Sequence, residues 1–172
     1  MAIDKGFRSD NMYPYSFVKA GENHLELIEK WLRSPEVFKW YQDSDYIEDL
    51  EEGLSDMRIR MMIVFFKNRP FAFVQDYDIH GWQDHHLSYL PKGSRGIDTF
   101  IGEAEMMGQG HGTSYLGFRV DTLFASSVPA IGIDPDVANV RAINAYKKVG
   151  LMKDKVASTE CGELQLMSLI NS

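Results

Sequence analysis

Three glycines fall within seven residues between Met107 and Thr113, where Gly108, Gly110 and Gly112 alternate with Gln109 and His111. The segment joins a strand-like stretch to a run with helical spacing. Glycines at a helix start leave backbone N–H groups open to a ligand, and the helix dipole adds positive character there. Such a turn suits an anion such as a phosphate. Two nucleotide motifs do not fit. A P-loop needs Gly-Lys-Ser/Thr, whereas Gly112 precedes Thr113 and the loop has no lysine. A dinucleotide fingerprint follows the first strand of a parallel sheet, and this turn follows several antiparallel-looking strands with a different third spacing. The remaining alternative is a flexible turn with no ligand.

A second segment, Asp134 to Leu151, follows the turn and carries Asn139, Ala142, Tyr146 and Lys148 on one predicted helix. With both segments in view, the chain resembles the GCN5-related N-acetyltransferase (GNAT) superfamily. In that family a Gln/Arg-x-x-Gly-x-Gly/Ala loop wraps the coenzyme A pyrophosphate, and an Asn-x-x-Ala-x-x-x-Tyr stretch flanks the pantetheine arm. Gly110 and Gly112 match the loop, with Gly108, Gln109, His111 and Thr113 in the same cradle. Asn139, Ala142 and Tyr146 match the second motif, and Lys148 lies where a cation meets a coenzyme phosphate. Met107 departs from the pattern by standing where Gln or Arg is usual, which removes a side-chain contact and leaves the backbone cradle. The resemblance implies an α/β GNAT (acyl-CoA N-acyltransferase) fold, a mixed, mostly antiparallel central sheet flanked by helices. It also implies acetyl-coenzyme A as co-substrate and a primary amine as acceptor, with no metal.

Within the superfamily, residues 95–113 and 133–150 are similar to the branch containing aminoglycoside 6'-N-acetyltransferases, enzymes of antibiotic resistance. That similarity spans about residues 15 to 170. Acetyltransferases for hydroxylysine-type siderophore precursors share much of the pattern, so acetylation of a hydroxylated lysine or polyamine in siderophore assembly, or of a protein amino group, is the alternative within enzymes. A non-catalytic acyl-coenzyme A binding module is the alternative from another class. The branch places an Asp where Asp98 stands, as base for the acceptor ammonium. Free Asp titrates near 3.9, so the role needs burial to raise it; a purely structural contact, for instance with Arg95, is the other option. A backbone N–H near Phe100 or Ile101 is expected to stabilise the oxyanion. Tyr146 matches the superfamily's acid for the leaving thiolate, or it packs on an amphipathic helix.

A cationic acceptor calls for carboxylates and ring faces around a cleft. Asp43, Asp45, Asp76, Asp78, Asp84 and Asp134 lie on predicted loops or strand ends, with Trp40, Tyr41, Tyr77 and Trp82 to pack sugar faces. The binding set is expected to be Trp40, Tyr41, Tyr77, Asp84, Asp98 and Asp134, although exposed loop Asp is also ordinary turn chemistry. His80, His85 and His86 are better read as substrate contacts or an auxiliary base than as metal ligands, because adjacent histidines do not readily face one ion. Cys161 is the single cysteine, which excludes an internal disulfide.

Periodicity supplies the elements that must position these groups. Tyr15 to Lys19 is a first strand. Leu27, Ile28, Trp31 and Leu32 mark a helix ending at Ser34-Pro35, and residues 47–60 form a second. Residues 61–66 and 71–78 flank a turn as a hairpin, and 94–104 are a further strand. A helix over 113–124, a strand over 129–134, a helix around 139–148 stopped by Gly150, and a last strand near Leu164 to Leu169 complete an α/β sheet domain.

At 172 residues and 44% hydrophobic, one domain over 1–172 is expected, with 1–13 a flexible N-terminal segment. Twenty-five acidic against 18 basic residues give a net charge of −7. That argues against a nucleic-acid partner. The longest apolar run, Met61 to Phe66, is too short to span a membrane, so a soluble cytoplasmic monomer or homodimer is expected.

Overall fold

The computed structural model describes residues 14–42, 46–160 and 162–172. The expected flexible segment 1–13, together with Asp43, Asp45 and Cys161, lies outside the described residues. Among the described residues, seven strands form one sheet in the order β1-β2-β3-β4-β5-β7-β6. The first half is an antiparallel meander of β1 (Tyr15–Lys19), β2 (Ile59–Phe66), β3 (Arg69–Asp78) and β4 (Arg95–Ile101). Lys67 and Asn68 both take positive φ, so a two-residue turn matched to the strand twist closes the β2–β3 hairpin. Next, β5 (Ala130–Ile133) lies parallel to β4, and β7 (Gly162–Ile170) and β6 (Met152–Thr159) complete the sheet antiparallel.

Strand alternation sends neighbouring side chains to opposite layers. Ile63 and Phe73 pack with Ile28, Trp31 and Leu32 of α1 (Leu25–Leu32), Val37 of α2 (Pro35–Phe38) and Leu50 of α3 (Tyr46–Ser55). Val64, Ala72 and Val74 pack instead with Tyr115, Leu116, Val120 and Leu123 of α4 (His111–Ala125) and Ile143 of α5 (Val140–Val149). Tyr77, Leu87, Leu90, Ala130 and Leu166 make a third cluster under the long β3–β4 connection.

Several elements differ from expectation, among them α2, a short helix that starts at Pro35 where the sequence marks only a helix stop. The helix expected over 47–60 stops at Ser55, and Ile59 already belongs to β2. Asp56 breaks it by accepting the Arg58 N–H at 2.8 Å, a local turn that competes with helix continuation. Strand β6 carried no sequence signal because it is an edge: most of Met152–Thr159 is exposed, so no apolar alternation marks it. Lys153 and Lys155 sit on that edge, where charge discourages pairing with another chain.

Candidate active site

Parallel pairing between β4 and β5 is recorded only at Arg95 with Ile131 and Gly96 with Gly132. Beyond that point β4 runs on to Ile101 while β5 ends at Ile133, and a cleft of about 480 Å³ opens between them. Residues 97–101 of β4 form one wall, and Ile133, Asp134 and Pro135 form the other. Gly108, Gly110, Gly112 and Thr113 line the end where α4 begins, and Asn139, Ala142, Tyr146 and Lys148 line the α5 side. Trp40 and Tyr41 close the opposite rim.

The glycine turn has the shape an anion cradle needs. Gly108 and Gly110 hold φ of +72° and +83°, and a Cβ at either would meet nothing within 4 Å, so open space lies above the backbone. Gly110 is the N-cap of α4, and the first N–H groups of that helix have no intrahelical acceptor. Asn139 has a structural task as well as a cleft position, since its Oδ1 accepts the Ala142 N–H at 3.2 Å and caps α5. Arg141, which the sequence did not single out, lines the same cleft with its Nη2 3.6 Å from Met107 Sδ. A cation from α5 therefore lies against the position where the loop lacks its usual Gln or Arg.

Asp98 stands on β4 at the cleft, not paired with Arg95. Gln75 on β3 donates from Nε2 to Asp98 Oδ2 at 2.8 Å, while Arg95 turns to Asp76. Burial first, and then the neighbouring Asp134 carboxylate, push the Asp98 carboxyl up to about 7; the Gln75 hydrogen bond and His86 pull the other way. Tyr146 is held protonated, its phenol raised by burial and then by Tyr115, Asp98 and Asp134. Tyr115 and Thr99, also absent from the expected set, share a 2.7 Å hydrogen bond in the cleft wall, and Tyr41 donates to the Thr99 carbonyl at 3.2 Å.

Several expected residues point elsewhere. The His111 side chain is hydrogen-bonded through Nδ1 to the Tyr15 hydroxyl at 2.7 Å and packs on Phe66 and Phe71, while the Gln109 amide donates to the Glu105 carbonyl. Only their backbone N–H groups are left for the cradle. Tyr77 is buried against Gly96, Trp82 and His85, and so outside the cleft wall. Asp84 sits in a turn at φ +59° and Asp78 caps His80 N–H at 3.0 Å, both turn chemistry. The Arg58 guanidinium covers the Trp82 ring. Asp76 is fully buried and bound by Arg60, Arg95 and Arg119 at 2.7, 2.8 and 2.5 Å, a structural cluster with no route to a substrate. Among the described residues no three metal-ligating side chains converge. No described helix is long and apolar enough to cross a membrane.

A cleft opened by diverging strands, with a helix start on one side and a carboxyl and a protonated phenol within it, has the groups that transfer from a phosphate-bearing carrier would use. The chain belongs to the acetyltransferase (GNAT) domain family, which matches residues 20–159. It is 26% identical over 154 residues to an aminoglycoside N(6')-acetyltransferase type 1 of Klebsiella pneumoniae, covering 82% of this chain and 75% of that one. A kanamycin resistance protein of Rhizobium radiobacter is 37% identical over 71 residues, covering 41% of this chain and 66% of its own. The solved structure of AAC(6')-Ib with paromomycin and acetyl-coenzyme A superposes with a TM-score of 0.82 at 25% identity, covering 92% and 94% of the two chains. The expected GNAT fold and acetyltransferase class hold.

Proposed function

We propose that this acetyltransferase passes the acetyl group of acetyl-coenzyme A directly to a primary amine of a cationic small molecule, the 6'-amino group of an aminoglycoside, and so confers antibiotic resistance. The observation that carries this is Asp98 on the open edge of β4, in one cleft with Tyr146 and the glycine turn. Carboxylates of Glu36, Asp98, Asp134 and Asp136 line that cleft, with the rings of Trp40 and Tyr41 on its rim. They suit a polycation built of sugar rings. The similarity to aminoglycoside acetyltransferases supports the same acceptor.

In this mechanism the coenzyme pyrophosphate sits on the N–H groups at the start of α4, with Arg141 and Lys148 as nearby cations. The acceptor arrives as an ammonium and gives one proton to Asp98. Its freed electron pair attacks the thioester carbonyl carbon, forming the C–N bond and an oxyanion that a β4 N–H near Phe100 or Ile101 stabilises. The C–S bond then breaks, the nitrogen loses its second proton, and the sulfur gains one with the Tyr146 hydroxyl as donor. The net products are the amide, the coenzyme thiol and one proton. We take the protein to act as a single domain and as a cytoplasmic monomer or homodimer.

Thiol release with a panel of kanamycin-type aminoglycosides tests this, alongside Asp98→Asn. We expect turnover with the wild type and a loss of about 10²- to 10⁴-fold in kcat/KM for the variant. No turnover on any aminoglycoside removes the acceptor assignment, and turnover confined to hydroxylysine or polyamine acceptors relocates it. Unchanged turnover by Asp98→Asn removes Asp98 as base. Acetyl-coenzyme A binding without transfer to any amine leaves a binding module.

A further inference from the structure

Asp98 on β4 and Asp134, just past the end of β5, line the same cleft, and the Asp134 carboxylate makes ionisation of Asp98 harder. For Asp98 to accept a proton, the charge of Asp134 needs an offset. The structure supplies one from the β3–β4 connection. His86 Nε2 donates to Asp134 Oδ2 at 2.5 Å. That contact is built into the packing. Leu87, fully buried, and Leu90 rest directly on Gly132 of β5, where a Cβ would come within 2.9 Å of Leu90 and 3.0 Å of Leu87. The bare backbone at Gly132 thus lets the loop lie flat on β5 and delivers His86 to Asp134, two residues further along the chain and just past the end of that strand.

We propose that His86 is a positioning residue for acetyl transfer: by hydrogen-bonding Asp134 it fixes and neutralises that carboxylate, leaving Asp98 as the one that receives the acceptor's proton. This rests on Asp98 being the base. The groups facing His86 agree with a charged imidazole. Asp134, just past the end of β5, raises its pKa through the hydrogen bond, partial burial opposes this, and Asp98 on β4 adds to the rise. His85, whose ring centroid lies 4.4 Å from that of His86, is pushed down by burial, by His86 and by His80, and so stays neutral beside it. Tyr77 on β3 covers the other side of His85.

Two substitutions in one contact then act in opposite senses. His86→Gln keeps a hydrogen-bond donor and removes the positive charge, which raises the Asp98 pKa. Asp134→Asn removes the negative charge, which lowers it. Each displacement is on the order of one pH unit or more, the effect of one charge several ångströms away at the effective dielectric of a protein surface. The experiment follows the carbon-13 carboxyl titration of Asp98 in the wild type and both variants without acceptor. It also follows the acid limb of kcat/KM against pH for the best amine. Opposite displacements in both readouts support the proposal. An Asp98 titration that stays put or moves the same way in both variants overturns it, as does an acid limb that ignores an Asp98 shift. Because the carboxyl titration needs no acceptor, it still tests the His86–Asp134 pairing if the aminoglycoside assignment fails. A wild type that acetylates no amine breaks that assignment alone.

Discussion

Replacing Asp98 by Asn is expected to stabilise the protein while disabling it, and the gain should depend on pH. The folded chain holds the Asp98 proton up to about 7, because burial and Asp134 disfavour the anion, whereas the unfolded chain releases it near 3.8. Between those values the unfolded state binds fewer protons than the folded one, so stability falls as pH rises through this window. The full shift would correspond to about 4 kcal/mol above pH 7. Asp98 keeps some contact with the open cleft, so screening cuts the difference between pH 5 and pH 8 to about 1–2 kcal/mol. Asn has the same size and offers an oxygen to Gln75 Nε2, so the 2.8 Å hydrogen bond survives. At about 2–4 °C per kcal/mol for a chain of this length, the variant should gain a few °C in Tm over wild type between pH 5 and pH 8. Differential scanning calorimetry at the two pH values reads this directly. A Tm difference that does not change with pH would refute the raised Asp98 pKa and, with it, the case for a carboxyl poised to act as base near neutrality.

Asp76→Asn should behave oppositely, destabilising without touching the chemistry. Arg95 and Arg119, 13% and 9% exposed, would lose their buried counterion at a cost of about 3–5 kcal/mol, seen as a Tm lower by roughly 10 °C. The KM for acceptor in the folded fraction should stay unchanged. Gly110→Ala forces a side chain to φ +83° at about 1–2 kcal/mol and reshapes the cradle, which calorimetric titration should report as weaker coenzyme A binding. Arg141→Ala should weaken coenzyme A by roughly 1 kcal/mol, about fivefold in Kd, with less effect at high salt and no effect on acceptor KM.

The side of the cleft formed by the glycine turn and α5, where we propose the coenzyme binds, was legible as structure in the sequence because it is made by short contiguous stretches. A left-handed Gly110 before a helix, or an Asn139 capping the next one, requires a residue type at a fixed offset, and that requirement is written locally. The acceptor side is assembled across the sheet, and there local signals misled. Asp76, Asp84 and Tyr77 had the right chemistry in apparent loops or strand ends. Yet strand alternation places Asp76 among three arginines and Gln75, the next residue, on Asp98. No spacing rule distinguishes those two neighbours, because the register of β3 on β4 decides that Gln75 lies opposite Asp98. His86 was legible only as one of three histidines in a loop. Its assignment to Asp134 depends on Leu87 and Leu90 seating on Gly132, and a glycine inside a strand reads in sequence only as a weakness. In the fold that glycine is a contact surface. Under the proposed assignment, substitutions in the β3–β4 connection that leave the glycine turn and α5 untouched should change acceptor specificity without changing coenzyme A affinity.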